Sequence, residues 1–196
     1  MLPAMARKFM GLFALAALLG IPHPCAAEPA APRIDDPALL AASDVAWAGA
    51  AEARLADFER ATGITILVQF HPKSPPPDED RLPGAYMRAL STRLGVIRRG
   101  VLMVYFADDP DWRVWVGDEL TPVFVGKPGT AAEFTASGAM HQAKEAYLAA
   151  SLARADAAFA ALGKSAPPGK PVPQGRRLAL QADALVEGMM GRLRPN

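Results

Sequence analysis

The chain is almost without cysteine. Its single one, Cys25, stands at the end of an apolar leader; once that leader is removed no disulfide, thiol nucleophile or thiolate metal ligand remains, so the fold must rest on its core alone. There is also no apolar run of the roughly 20 residues that a membrane-spanning helix needs. The longest, FMGLFALAALLGI (Phe9–Ile21), follows Arg7 and Lys8 and precedes Pro22 and the small pair Ala26-Ala27. Basic start, short apolar stretch and small residues at the cut are the marks of a secretory signal peptide, with cleavage expected after Ala27. Pro22-His23-Pro24 stand where a lipoprotein signal would carry leucine and small residues. Basic excess is missing too: the net charge of +1 falls to −1 when the two leader cations leave, which excludes the nucleic-acid-binding class.

Several catalytic signatures are absent as well. No glycine-rich dinucleotide fingerprint follows a strand-like run, and no serine or threonine has a G-x-S-x-G setting. His71 and His141, the histidines left after cleavage, lack the His-Glu-x-x-His spacing of a zinc pair. GKSAPPGK (163–170) imitates a phosphate loop, but it has one residue too many between its glycines and Pro171 where Ser or Thr must meet magnesium.

What is present is alternating helical and strand-like patterning. EPAAPRIDD (28–36) reads as an extended lead-in. From Pro37 a helical pattern opens with Leu39 and Leu40 and continues through Val45, Trp47, Leu55 and Phe58, with Ser43 or Asp44 able to cap a new start and Gly63 as terminator. ITILVQF (Ile64–Phe70) reads as a strand covered on both faces. Four prolines make HPKSPPPDED (71–80) an exposed loop. Arg81 to Leu94, with Leu82, Tyr86, Leu90 and Leu94 in one stripe, predicts a helix facing the sheet. VLMVYF (Val101–Phe106) predicts a second buried strand, ADDPD a tight turn, and WRVWV (Trp112–Val116) an antiparallel third. Trp112 and Trp115 then point to opposite faces, one into the core and the other a candidate contact. Helical character returns from about Ala131 and recurs through Leu148, Leu152, Ala155, Phe159 and Leu162. GKSAPPGKPVPQG (163–175) reads as a linker, and 176–196 as a short amphipathic helix that docks either on its own domain or on a partner. Gln181, Asp183, Glu187 and Arg192 interrupt its apolar face, so it is no membrane anchor. This order predicts an α/β sandwich with a mixed sheet.

RIDDPALL (Arg33–Leu40), FERATGITILV (Phe58–Val68), LGVIRRGVLMVYFADD (Leu94–Asp109) and WRVWVG (Trp112–Gly117) occur in an order and spacing that resembles the TPM domain family. The resemblance covers about 35–162. It implies a three-layer α/β/α sandwich with a small mixed sheet, often exported, sometimes calcium-binding, with acid phosphatase activity proposed for some members. The family's leading aspartates match Asp35 and Asp36, and its turn acids match Asp108 and Asp109. Its next arginine is replaced by Pro110, while Arg113 matches the arginine within the following strand. The asparagine usual before the second strand is Arg99 here, and the glutamate usual after Gly117 is lost from its place.

A calcium ion needs about six to eight oxygen ligands. Asp108, Asp109 and Asp111 crowd one turn, Asp118 and Glu119 lie beyond the next strand, and Asp36 can fold over the same sheet edge. The bland alternative is that Asp favours turns because its side chain bonds nearby amides. The expected metal set is therefore Asp36, Asp108, Asp109, Asp111 and Asp118, with calcium the candidate cofactor and Arg99 and Arg113 the candidate anion contacts. The expected organisation is leader 1–27, lead-in 28–36, TPM-like domain 37–162, linker 163–175 and C-terminal helix 176–196. The expected function is that of a periplasmic or secreted binding or accessory factor of the cell envelope, with a partner reached through the C-terminal helix. The alternative is a metal-dependent acid phosphatase using Asp108, Asp109, Asp36 and Arg113.

Overall fold

The computed structural model describes residues 32–41, 45–167 and 169–194. The leader, its cleavage point, Cys25 and the cap positions Ser43 and Asp44 lie outside the described residues.

Four strands, β1 (Ile34–Asp35), β2 (Thr65–His71), β3 (Gly100–Phe106) and β4 (Asp111–Val116), form one sheet in that order. β1, β2 and β3 run parallel and β4 returns antiparallel to β3. Among the described residues the helices are α1 (Val45–Thr62), α2 (Ala85–Arg93), α3 (Thr121–Val125), α4 (Ala131–Ala136), α5 (Ala139–Ser165) and α6 (Gln174–Leu193). Helices cover both faces of the sheet, which is the three-layer α/β/α arrangement with a mixed sheet. Ile66, Val68, Phe70, Val101, Met103, Trp112 and Val114 meet Leu55 and Phe58 of α1, Tyr147 of α5 and Leu185 and Met189 of α6 in one core. On the other face Leu102, Val104 and Phe106 meet Met87 and Leu90 of α2 and Val96, with the partly buried Leu67, Tyr86, Leu94 and Trp115 around them.

That asymmetry corrects the reading of β2. Its apolar run is not covered twice: Ile66, Val68 and Phe70 are sealed, while Thr65, Leu67, Gln69 and His71 on the α2 side are half-buried. His71 is also the last residue of this strand rather than part of the proline loop. Helix α2 starts later than its stripe suggested. Pro83 disfavours helical backbone at Leu82, Gly84 takes a left-handed φ of 80° as N-cap, and Leu82 stays 73% exposed. β4 ends at Val116, and the next position is held to glycine because a Cβ at Gly117 would lie 2.4 Å from the Arg98 carbonyl oxygen.

Helix α5 extends three residues past the expected boundary at 162, and α6 fills twenty residues. Gly188 lies against α5, where a Cβ would come within 3.1 Å of the Ser151 hydroxyl and 3.3 Å of the Tyr147 ring. Leu178, Ala182, Leu185, Val186, Met189 and Leu193 of α6 are buried in the main core, and Arg54 of α1 is ion-paired with Asp183 and Glu187. The C-terminal helix docks in cis, as part of the domain that the linker seemed to set it apart from. Among the described residues no helix is long and apolar enough to cross a membrane.

Candidate functional site

Three parallel strands and one antiparallel return bring the C-terminal ends of β1, β2 and β3 and the start of β4 to one end of the sheet. Asp36, Asp108, Asp109 and Asp111 lie at that end. Asp118 and Arg99 lie at the other, separated by the length of β4, about 20 Å for six residues. The side-chain set expected to share one ion is therefore split.

The turn aspartates already have work within the fold. The Asp36 carboxylate accepts the Leu40 and Ala41 N–H groups at 2.8 Å each, which caps a tight turn carrying Leu39 at a φ of 54°. Asp108 accepts the Ser74 N–H at 2.7 Å and its hydroxyl at 2.9 Å, tying the proline loop to the hairpin. The Ser74 hydroxyl holds the Asp108 carboxyl below the usual carboxylate range. Burial pushes the Asp111 carboxyl up, against the pull of Arg113, whose Nε is 3.8 Å from it. Arg113 itself pairs with Asp80 at 2.7 Å and lies over the Phe106 ring at 4.9 Å. Arg99 donates to the Thr62 and Gly63 carbonyls and so closes the end of α1. Among the described residues no group of three or more His, Cys, Asp or Glu side chains is placed to hold a metal ion.

A cleft of about 510 Å³ opens at this same end, on the side of α5 and α6. Leu40, Tyr105, Trp112, Leu178, Gln181 and Arg177 line it, and Pro110 and Asp111 contribute from the hairpin. The Tyr105 and Trp112 rings stand 5.4 Å apart, and the Trp112 indole N–H donates to Gln181 Oε1 at 3.2 Å. Arg177 is held by Asp156 at 2.8 Å. Apolar walls with a few fixed polar groups, at the carboxyl ends of parallel strands, are where open α/β sheets bind ligands. Sequence reading missed Tyr105, Arg177 and Gln181. A signal existed for Gln181, because it interrupts an otherwise apolar helix face and a polar residue there needs a partner.

On the opposite face the same end carries a polar cluster. His71 Nε2 is 3.2 Å from Gln69 Oε1, and its Nδ1 is 3.3 Å from the Tyr86 hydroxyl. Burial lowers the His71 pKa, with Arg93 adding to the effect and Asp35 opposing it. Burial raises that of Tyr86, so both groups favour their neutral forms.

No family model matches this chain, and neither a curated protein nor a solved structure matches it at a significant level.

Proposed function

We propose that this chain is an exported, TPM-like binding or accessory domain of the cell envelope, which takes its ligand at the open end of the sheet. The observation that carries this reading is the contrast between two sets of side chains there. The Asp36 carboxylate is engaged by backbone amides of its own turn and that of Asp108 by Ser74 of the proline loop, whereas the aromatic cleft beside them is open and lined by groups fixed in place. The leader pattern supports export, and the four ordered motifs support the family. The acidic turn of the hairpin then acts first as a hairpin connection. A metal-dependent phosphatase would need Asp36, Asp108 and Arg113 to leave their present partners and converge with Asp109.

Calcium titration of the processed protein by calorimetry, with thermal unfolding alongside, tests this. A ligand at 100 times its dissociation constant adds about 2.7 kcal/mol of stability. The expected result is no heat and no shift at millimolar calcium, with no hydrolysis of a phosphate monoester. Binding that disappears in Asp108→Asn/Asp109→Asn, together with hydrolysis, would replace this reading with the phosphatase.

A further inference from the structure

The cleft at the open end of the sheet is lined by groups that reach its surface. The hairpin gives it Pro110 and Asp111, α6 gives Arg177 and Gln181, and Tyr105 and Leu152 add apolar wall. All six are exposed or half-buried. Trp112 is only 4% exposed and serves as backing, its ring 5.4 Å from that of Tyr105.

The hydrogen-bonding groups on these walls are held in place and incompletely used. An indole N–H can only donate, so its bond to Gln181 turns the amide oxygen toward Trp112 and leaves the amide nitrogen over. Neither that nitrogen nor the Tyr105 hydroxyl has a partner among the described residues. Arg177 engages Asp156 through Nε and Nη2, at 3.0 and 2.8 Å, which leaves Nη1. Asp111 supplies acceptor oxygens at the hairpin.

Charge on the lining is even: one anion, Asp111, and one cation, Arg177. Each already has an opposite charge beside it, Arg113 at 3.8 Å and Asp156 at 2.8 Å. An ionic ligand would give up its hydration here without meeting an unpaired counter-charge. A hydroxyl needs none, because it donates and accepts at once. It can donate to Asp111 and accept from Arg177 or Gln181. Several hydroxyls around a compact body, with a C–H face to rest on Tyr105 and Leu152, describe a sugar ring. The cleft volume of about 510 Å³ lies in the range of sites that enclose small molecules.

We infer that this cleft binds an uncharged sugar ring of a glycan, with Tyr105 and Leu152 against its apolar face and Asp111, Arg177 and Gln181 holding its hydroxyls. This rests on the reading of the chain as a binding domain and names its ligand class.

The test is an array of immobilised oligosaccharides probed with the processed protein in the presence of a chelator. Uncharged sugars stand beside the uronic acids and amino sugars of the same ring. Uncharged rings should bind, and their charged counterparts should bind more weakly. Calorimetry with the selected saccharide, free and within its polymer, distinguishes a soluble sugar from a polymeric chain as the source. Asp111→Ala, Arg177→Ala and Gln181→Ala should each weaken binding about tenfold, the loss of one hydrogen bond to a charged or fixed group. Asp111 and Arg177 are exposed, and thermal unfolding verifies that the variants fold. An array on which nothing binds overturns the inference, as does equal or tighter binding of the charged rings, or binding left unchanged by all three variants. A peptide or a free amino acid that binds in place of sugar, and is lost in these variants, also overturns it while leaving the binding-domain reading intact. Failure of that reading itself would show separately, as calcium binding and hydrolysis of a phosphate monoester.

Discussion

On one face of the sheet Phe70, Met103, Trp112 and Val114 lie under three long helices, and Leu185 and Met189 of α6 are fully buried against them. On the other, a nine-residue helix covers β3 and β4, and the α2-side residues of β2 are left half-exposed. The same strands thus serve two purposes. The first face concentrates the stability of the domain, and the second keeps polar side chains such as Gln69, His71 and Arg113 near water. A domain of this size needs only one large core to fold, so the second face can stay half-open without loss of the fold.

Matched truncations would sharpen or break that comparison. Leu185→Ala empties a site with no exposure beneath α6 and is expected to cost about 3–5 kcal/mol, whereas Leu90→Ala on α2, next to a half-open face, should cost about 2–3 kcal/mol because the site can collapse. Chemical denaturation of both variants measures the difference. Equal costs would mean that α2 seals its face as tightly as the three helices seal theirs.

A smaller effect probes how α5 and α6 are joined. The buried Tyr147 hydroxyl donates to the Leu185 carbonyl, and its ring packs edge-on against Phe124 at 5.7 Å. Tyr147→Phe keeps the ring and loses the hydrogen bond, so a destabilisation of about 1 kcal/mol is expected in the same experiment. A neutral result would mean that this hydrogen bond adds nothing to the α5–α6 attachment beyond the apolar packing and the Arg177–Asp156 and Arg154–Ala184 contacts.

The sequence was legible where local pattern and burial agree. The hairpin of β3 and β4 follows from alternation in WRVWV and from Pro110 in a turn that no central strand could hold. β2 was over-read because Ile64 to Phe70 looks continuously apolar, although Thr65 and Gln69 are its polar side and marked the half-open face. The site was less legible, for a physical reason. The partner of Asp108 is Ser74, 34 residues away, and the Trp112 indole meets Gln181 across 69 residues; no periodicity reports such pairings. Whether an aspartate caps a turn or waits for a cation depends on amides that only the folded chain brings near. The placement of α6 is of the same kind. Its apolar stripe was evident, but the partner that covers it is a distant stretch of the same chain.

The smallest effect expected distinguishes the faces by pH rather than by packing. His71 sits on the half-open face between Gln69 and Tyr86, with its ring edge-on to Phe106 at 5.6 Å. Burial lowers its pKa below the ordinary value of 6.5, so the unfolded chain takes up a proton at a higher pH than the folded one. Protonation therefore draws the equilibrium toward the unfolded state as pH falls through 6.5 toward the folded value, and above 6.5 the group contributes no pH dependence. Thermal unfolding of the native protein from neutral pH to mildly acidic pH should lose stability more steeply than that of His71→Gln, with the two curves parallel above neutrality. Parallel curves over the whole range would mean that water reaches His71 as freely as in the unfolded chain, and that this face is more open than its packing against Phe106 implies.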